Sequence, residues 1–549
     1  MNTRITLAYG SDRIFSLLFP EGNPEFVSQQ PVFFEDLQME GILKAILSRY
    51  SGFDLRKYFY TVPESVNTIR YRQDIYRDLE KNDFLIIAFR KFSDKMSESE
   101  KCFQYYCQTE DKIKKGSYLL LACRHYLTAL SLLRDSLEQA EIASKGFLLM
   151  QEILDEMSAK REFVEFTKLV EMVFSYLKEL KLTLLINKKE IRILEEESTE
   201  DTEVVDRIHE FMNALEIPVG KTVPPVVENI FPAPLETSSL ENAVVDILRK
   251  SRPEVFRELK QFADVPFTLE ENIFLKVKNE IVFYISFYEF ERQLEKAGYQ
   301  LNYPEIREEC GESSAYDSGL ELVQVYDMAL AWKNRFSGEI VVKNDICYGE
   351  EKSFLVITGP NQGGKTTLAR AVGQCVYLMI MGLKAPCQSM KSRFFERIMT
   401  HFEVEESVET GAGKLKEELR RLKPMMQDQR GNQKNSFVIL NELFTTATTY
   451  DARIMAQKVM EHFQNSGCLG IYVTHIQELA DEKNQPGVQS MVAQVDQEDP
   501  DRRTFLILPM EAQGLGYSDS IARKYGLDYD QMTKRVAALD YSSRKGELQ

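Results

Sequence analysis

Phe354-Leu-Val-Ile-Thr358 runs directly into Gly359-Pro-Asn-Gln-Gly363-Gly364-Lys365-Thr366 and then into Thr367-Leu-Ala-Arg-Ala-Val372. The first run is a short apolar strand, the glycines mark a turn, and the last run has the composition of a helix. The turn matches G-x-x-x-x-G-K-[ST] in the strand-loop-helix setting that this pattern requires. The spacing has a physical reason. Glycines let backbone N–H groups converge on phosphates, the helix N-terminus adds positive potential, Lys365 reaches the β and γ phosphates, and Thr366 holds Mg²⁺. Gly359, Pro360, Asn361, Gln362, Gly363, Gly364, Lys365, Thr366 and Thr367 are therefore the expected cradle for ATP, with Mg²⁺ as its counterion.

Two strands downstream supply the rest of a phosphate-handling site. Ser436-Phe-Val-Ile-Leu-Asn441-Glu442 is an apolar run ending in a polar pair, where a P-loop ATPase places a carboxylate near the Mg²⁺-bound water and a second carboxylate that activates the attacking water. Asn441 occupies the first position. It accepts a hydrogen bond from a metal-bound water but brings no charge, so Mg²⁺ is expected to bind more weakly, while Glu442 keeps the capacity to orient or deprotonate water. Ile471-Tyr-Val-Thr-His475 ends in one of the chain's five histidines, at the sheet edge where the γ-phosphate is expected. Lys365, Glu442 and His475 form the expected catalytic set, and Thr366 and Asn441 the metal set.

Outward from these strands, further β-rich runs are expected at Glu339–Val342 and Thr504–Leu508, which makes residues 321–549 a layered α/β domain. From Phe34 to Ala297 the apolar residues recur at helical spacing, as in Phe166, Leu169, Val170, Val173 and Leu177. One helix is expected from Leu269 to Ala297, opened by a Thr268/Glu271 capping box and closed by Gly298. At about 43 Å it has the length of a strut or lever. The helical layer is interrupted near 195–235 by the acidic run from Glu195 to Glu203 and by Pro218, Pro224, Pro225, Pro232 and Pro234. The expected organisation is a leader at 1–33, a helical core and lever domain at 34–320, and a P-loop domain at 321–549. The fold class is α plus α/β.

The 549 residues, 44% of them hydrophobic and 28% charged, exclude disordered and fibrous classes. A formal charge of −17 argues against indiscriminate nucleic-acid or anionic-membrane binding. Local basic clusters remain, at Lys112, Lys114 and Lys115 and at Arg420, Arg421 and Lys423. There is no apolar run of membrane-spanning length and no N-terminal secretion pattern. Eight scattered cysteines without a CxxC pair fit free thiols in a reducing cytoplasm.

Thr358-Gly-Pro-Asn-Gln-Gly-Gly-Lys-Thr366 resembles the TGPNxGGKS/T nucleotide loop of the MutS family of DNA mismatch-repair ATPases. Lys343-Asn344-Asp345 resembles that family's PND, Lys384-Ala-Pro-Cys387 its VPA, Val473-Thr-His-Ile-Gln-Glu-Leu479 its ATHxxEL, and Tyr517–Leu527 the SYGIxVAxxAGL that closes its ATPase domain. The resemblance is specific from Glu321 to Arg535 and only architectural over the helical half, where Tyr71-Arg-Gln-Asp-Ile-Tyr76 stands in a core-domain position. It implies an ABC-like ATPase fold, an ATP-hydrolysing homodimer, and helical levers that clamp duplex or branched DNA.

Three departures bear on chemistry. Asn441-Glu442 stands for the family's DE, Phe444-Thr-Thr-Ala447 for its GRGT, and Glu409-Thr-Gly411-Ala-Gly413-Lys414-Leu-Lys-Glu-Glu418 for the serine-bearing loop that reaches the opposite subunit. Gly413 and Lys414 are then the residues expected to complete the partner's site. Residues 1–33 are too few for a mismatch-reading domain of about a hundred residues, and no Smr nuclease is expected after the ATPase domain. Phe19-Pro-Glu21 reads as a turn rather than a wedge between bases, so DNA is expected to be read by shape and backbone. A second class stays open: a nucleotide-switched interaction factor, ribosome- or complex-associated, with weak ATPase and no DNA role.

Overall fold

The computed structural model describes residues 15–22, 24–178, 183–187, 190–194, 245, 248–250, 252–269, 272–307, 319–403, 413–427, 435–496, 502–512, 529 and 531–535. The acidic run, the proline cluster and Tyr517–Leu527 lie outside them. The chain divides into two compact units, each built from two stretches: Met1–Ser16 with Asp78–Val282, and Leu17–Arg77 with Phe283–Gln549. Residues 17–77, which helical periodicity groups with the first half, thus belong with the α/β half. Periodicity reports that a segment has an apolar face, not which core receives it.

The first unit is mainly helical, with helices at Phe84–Gln108, Lys112–Gln139, Lys145–Ala159, Arg161–Lys178 and Pro253–Phe262. Their starts follow from capping chemistry: Asp111 accepts from the amides of Ile113 and Lys114, and Ser144 from that of Phe147. The buried Asp78 carboxylate holds the connection before Ser144 by accepting from the amides of Ala143 and Ser144 at 2.8–3.1 Å. A hairpin of β1 (Thr183–Asn187) and β2 (Glu190–Leu194) follows, where only helix was expected. The long helix starts at Ile273, not Leu269, because Asn272 accepts from the amide of Phe274 at 2.9 Å and serves as its cap. Glu271 of the expected capping box lies outside the described residues. The helix ends at Lys296 with Gly298 at φ +86°, and the Tyr299 amide returns to the carbonyl of Leu294. The boundary between the two units falls inside this helix.

The second unit carries two sheets. β3 (Glu305–Ile306), β4 (Leu320–Val325), β5 (Asn344–Tyr348) and β7 (Ser389–Ser392) form a mixed sheet in the order β3-β7-β4-β5. β6 (Phe354–Thr358), β8 (Arg397–His401), β9 (Ser436–Asn441), β10 (Leu469–Val473), β11 (Val488–Val495) and β12 (Arg503–Pro509) form the second, in the order β12-β11-β6-β10-β9-β8. All its pairings are parallel except β11 with β12. The strand expected at Glu339–Val342 is not formed; pairing begins at Asn344, where β5 meets β4. Phe19-Pro-Glu21 is a turn, closed by the Gly22 amide on the Phe19 carbonyl.

The helix Lys365–Ile380 that follows β6 is buried along nearly its whole length. Phe33 and Phe34 pack on Tyr377, whose hydroxyl donates to the Phe59 carbonyl at 2.6 Å. Gln374 is fully buried and satisfied: its amide donates to the Leu37 carbonyl (3.0 Å) and to Asp327 (3.1 Å), and its oxygen accepts from the Met328 amide (2.8 Å). Arg370, one turn earlier, pairs with the other Asp327 oxygen at 3.1 Å. At the far end Arg72, of the Tyr71–Tyr76 stretch, donates to the carbonyls of Leu18 (2.8 Å) and Met381 (3.1 Å). Among the described residues no helix is long and apolar enough to cross a membrane.

Asp327 also caps the helix Met328–Asn334 through the amides of Ala329 and Leu330. Asp327→Ala is expected to lower stability by about 3–5 kcal/mol, because it strands a largely buried guanidinium and a buried amide while uncapping a helix. Urea denaturation read by circular dichroism measures this, and a loss under about 1 kcal/mol, the scale of an exposed ion pair, would refute it.

Candidate functional site

β6 lies in the interior of the six-stranded sheet between β10 and β11, and its carboxyl end opens into the 359–364 loop. That is where a doubly wound sheet offers a crevice to a ligand. Gly359 (φ +121°), Gln362 (φ 60°) and Gly364 (φ +89°) turn the chain back on itself before the helix begins. The first amides of a helix lack intrahelical acceptors, so the start of Lys365–Ile380 offers donors to an anion. The loop therefore fits a phosphate chain.

Lys365 is largely buried, and its ammonium folds back to donate to the carbonyls of Gly359 (2.9 Å) and Pro360 (3.0 Å). Burial pushes its pKa down; the Glu442 carboxylate opposes that shift and the Arg503 guanidinium adds to it. The hydroxyl of Thr366 donates to Asn441 Oδ1 at 2.9 Å, so the two residues of the expected metal set meet at the ends of their elements. A hydroxyl and an amide oxygen are hard donors that suit Mg²⁺, directly or through water, without lending it charge.

The Glu442 amide donates to the Val473 carbonyl at 2.9 Å, which ties the turn after β9 to the end of β10. Glu442 has φ 52° and Phe444 φ 61°, an energetically costly pair for non-glycine residues. His475 Nε2 lies 3.0 Å from Glu442 Oε1, both side chains being partly open to solvent. The arrangement can hold a proton between carboxylate and imidazole and orient a water in front of the loop. The structure thus brings Lys365, Thr366, Asn441, Glu442 and His475 to one end of the parallel strands.

Gly413 is exposed, and its carbonyl accepts the Lys416 amide at 2.9 Å as the helix Lys414–Gln427 begins. The Lys414 side chain and Gly411 lie outside the described residues. Among the basic clusters, Lys112 faces Asp264 (3.3 Å), Arg420 faces Glu417 (2.8 Å) and Arg421 faces Asp36 (3.8 Å). Each lies against an acid within its own unit.

Sequence reasoning missed the lid of residues over the loop. Phe505 Cδ1 lies 3.5 Å from where a Cβ on Gly364 would sit, and Ala493 lies 3.0 Å from the same position on Gly359 and on Gly363. Asn344, the middle residue of the PND-like stretch, accepts from the Ile507 amide (2.8 Å) and donates to the Phe505 carbonyl (3.2 Å). The alternation in Thr504–Leu508 announces a strand but not its partner. Gly364→Ala is expected to destabilise the chain by about 1–2 kcal/mol, from the left-handed backbone alone. Thermal melting of the variant tests this, and an unchanged midpoint would mean that the loop adopts another backbone.

Residues 355–532 match the model of MutS domain V. The DNA mismatch repair protein MutS of Halothermothrix orenii is 29% identical over 203 residues, 36% of this chain and 22% of that protein. That of Thermotoga maritima is 31% identical over 158 residues, 29% of this chain and 20% of the relative. Endonuclease MutS2 of Thermus thermophilus is 27% identical over 199 residues, 36% of this chain and 26% of its own length. The similarity therefore spans about a quarter or less of each relative. It coincides with the sheet and loop just described, and through this domain V the chain belongs to the MutS family.

Proposed function

We propose that the chain binds ATP with Mg²⁺ in the 359–367 loop, hydrolyses it slowly, and uses the nucleotide state to control a clamp on duplex or branched DNA. The observation that carries the ATPase reading is the convergence of Glu442, paired with His475, and Asn441, paired with Thr366, at the mouth of the loop that holds Lys365. Glu442 activates water, His475 orients it and senses the γ-phosphate, and Lys365 leaves its carbonyl partners for the phosphates. Thr366 and Asn441 hold the Mg²⁺ shell, and the uncharged Asn441 is the reason for slow turnover.

The DNA role rests on relatives named as DNA mismatch repair proteins and on the long helices of the first unit. The active form is a cytoplasmic homodimer in which Gly413 and Lys414 of one subunit complete the site of the other. Recognition goes through phosphates and shape. The second reading, a nucleotide-switched partner of a protein or ribonucleoprotein complex without a DNA role, is favoured by Asn441 and by the net charge of −17.

Steady-state ATPase with and without duplex, junction and single-stranded DNA separates the two readings. Stimulation by one DNA form, lost in Glu442→Gln while ATP binding persists, is the expected result. Hydrolysis indifferent to every DNA form at low salt would reject the clamp in favour of the switched partner.

A further inference from the structure

β12 is not a regular edge strand. Its register with β11 breaks between Ala493 and Val495, and Phe505 at φ 58° takes up the irregularity. Thr504 Oγ1 donates to the Gln494 carbonyl at 2.9 Å, and Asn344 holds the backbone on the other side at Phe505 and Ile507. A bulge pinned from both sides re-aims the side chains near it, and bulges of this kind gather beside active sites. Here the pinned segment lies against the nucleotide loop: Phe505 packs over Gly364, and Arg503 is placed two residues earlier, opposite Val495. Arg503 is half-buried, and its charge reaches Lys365.

The charge balance of the site gives this position its meaning. Lys365 and Arg503 contribute two positive charges, Thr366 and Asn441 contribute none, and the Glu442 carboxylate is engaged with His475. A site with no carboxylate for the metal-water shell grips Mg²⁺ weakly, whereas a second fixed cation attracts polyphosphate directly. A guanidinium suits this task because it stays charged even when partly desolvated and can donate two parallel N–H bonds to phosphate oxygens.

We propose that Arg503 is a second phosphate-binding cation of the nucleotide site, supplied by the same subunit, which takes over part of the charge neutralisation that Mg²⁺ provides, so that nucleotide binding persists without the metal. The inference rests on the nucleotide-binding reading above and adds to it a residue and a metal dependence.

The test is titration of the full-length protein with a fluorescent N-methylanthraniloyl derivative of ATP, once in magnesium chloride and once in EDTA. Wild type is expected to lose less than about threefold in affinity when the metal is removed. Arg503→Ala is expected to lose roughly tenfold or more in EDTA, the worth of one charge-assisted hydrogen bond, and distinctly less in magnesium. Arg503→Lys, which keeps the charge but not the fork, is expected to fall between them in EDTA and guards against a folding artefact. Equal affinities of wild type and Arg503→Ala in EDTA would overturn the assignment while leaving the nucleotide site standing. No binding by wild type in either buffer would overturn the nucleotide reading and this inference with it.

Discussion

The carboxylate of Asp327 has almost no water around it, and the architecture of the second unit depends on how it is satisfied. Three N–H groups reach one of its oxygens, from Ala329, Leu330 and Gln374, and the Arg370 guanidinium reaches the other. A buried charge this fully hydrogen-bonded is stable only in one arrangement of its donors. It therefore fixes the rotation of the helix Lys365–Ile380 about its own axis, since Arg370 and Gln374 must both face the same carboxylate. That rotation in turn sets the direction from which Thr366, one turn before Arg370, approaches Asn441. The precision of the nucleotide loop is supplied from behind, by residues that never face the ligand.

In front of the loop the structure accepts local cost for aim. Glu442, Phe444 and Phe505 all adopt left-handed backbone without being glycine, and all lie at the carboxyl end of the sheet or on the strand that covers the loop. Strain of about 1 kcal/mol or more per residue persists only where the surroundings over-determine it. Here they do: the Glu442 amide is held by Val473, and Phe505 by Asn344. Unstrained geometry would point the Glu442 carboxylate and the Phe505 ring elsewhere.

The residues of the loop were legible because their constraint is local: a strand, a glycine turn and a helix start must occur within about twenty residues for phosphate to be held at all. Asn441, Glu442 and His475 were legible for a related reason, since polar residues closing apolar strands after such a loop have one place to go in a parallel sheet. The bulge in β12 was not, because register depends on which strand pairs with which, and Thr504–Leu508 carries no mark of its partner. Asn344 could be matched to a pattern, but its role as a clamp on Phe505 and Ile507 needs the two sheets together. The hairpin β1–β2 left a trace in the alternation of Ile191 with Ile193 around charged neighbours, a signal masked by the helices before it. The assignment of residues 17–77 to the α/β half had no sequence signal, since an amphipathic helix does not name its partner.

That assignment has a kinetic side. The bonds from Gln374 to Leu37 and from Tyr377 to Phe59 close loops of 337 and 318 residues. The entropy of closing such loops must be met before their contacts reward it, which makes this unit a high-contact-order body that folds late and slowly. During synthesis the segment 17–77 leaves the ribosome several hundred residues before its packing partners. Its apolar residues, Phe33, Phe34, Phe59 and Tyr60 among them, must wait uncommitted while the intervening helices condense around their own core. The α/β unit is thus sealed by the earliest part of the chain to be made, and chaperone capture of nascent chains should concentrate on that segment.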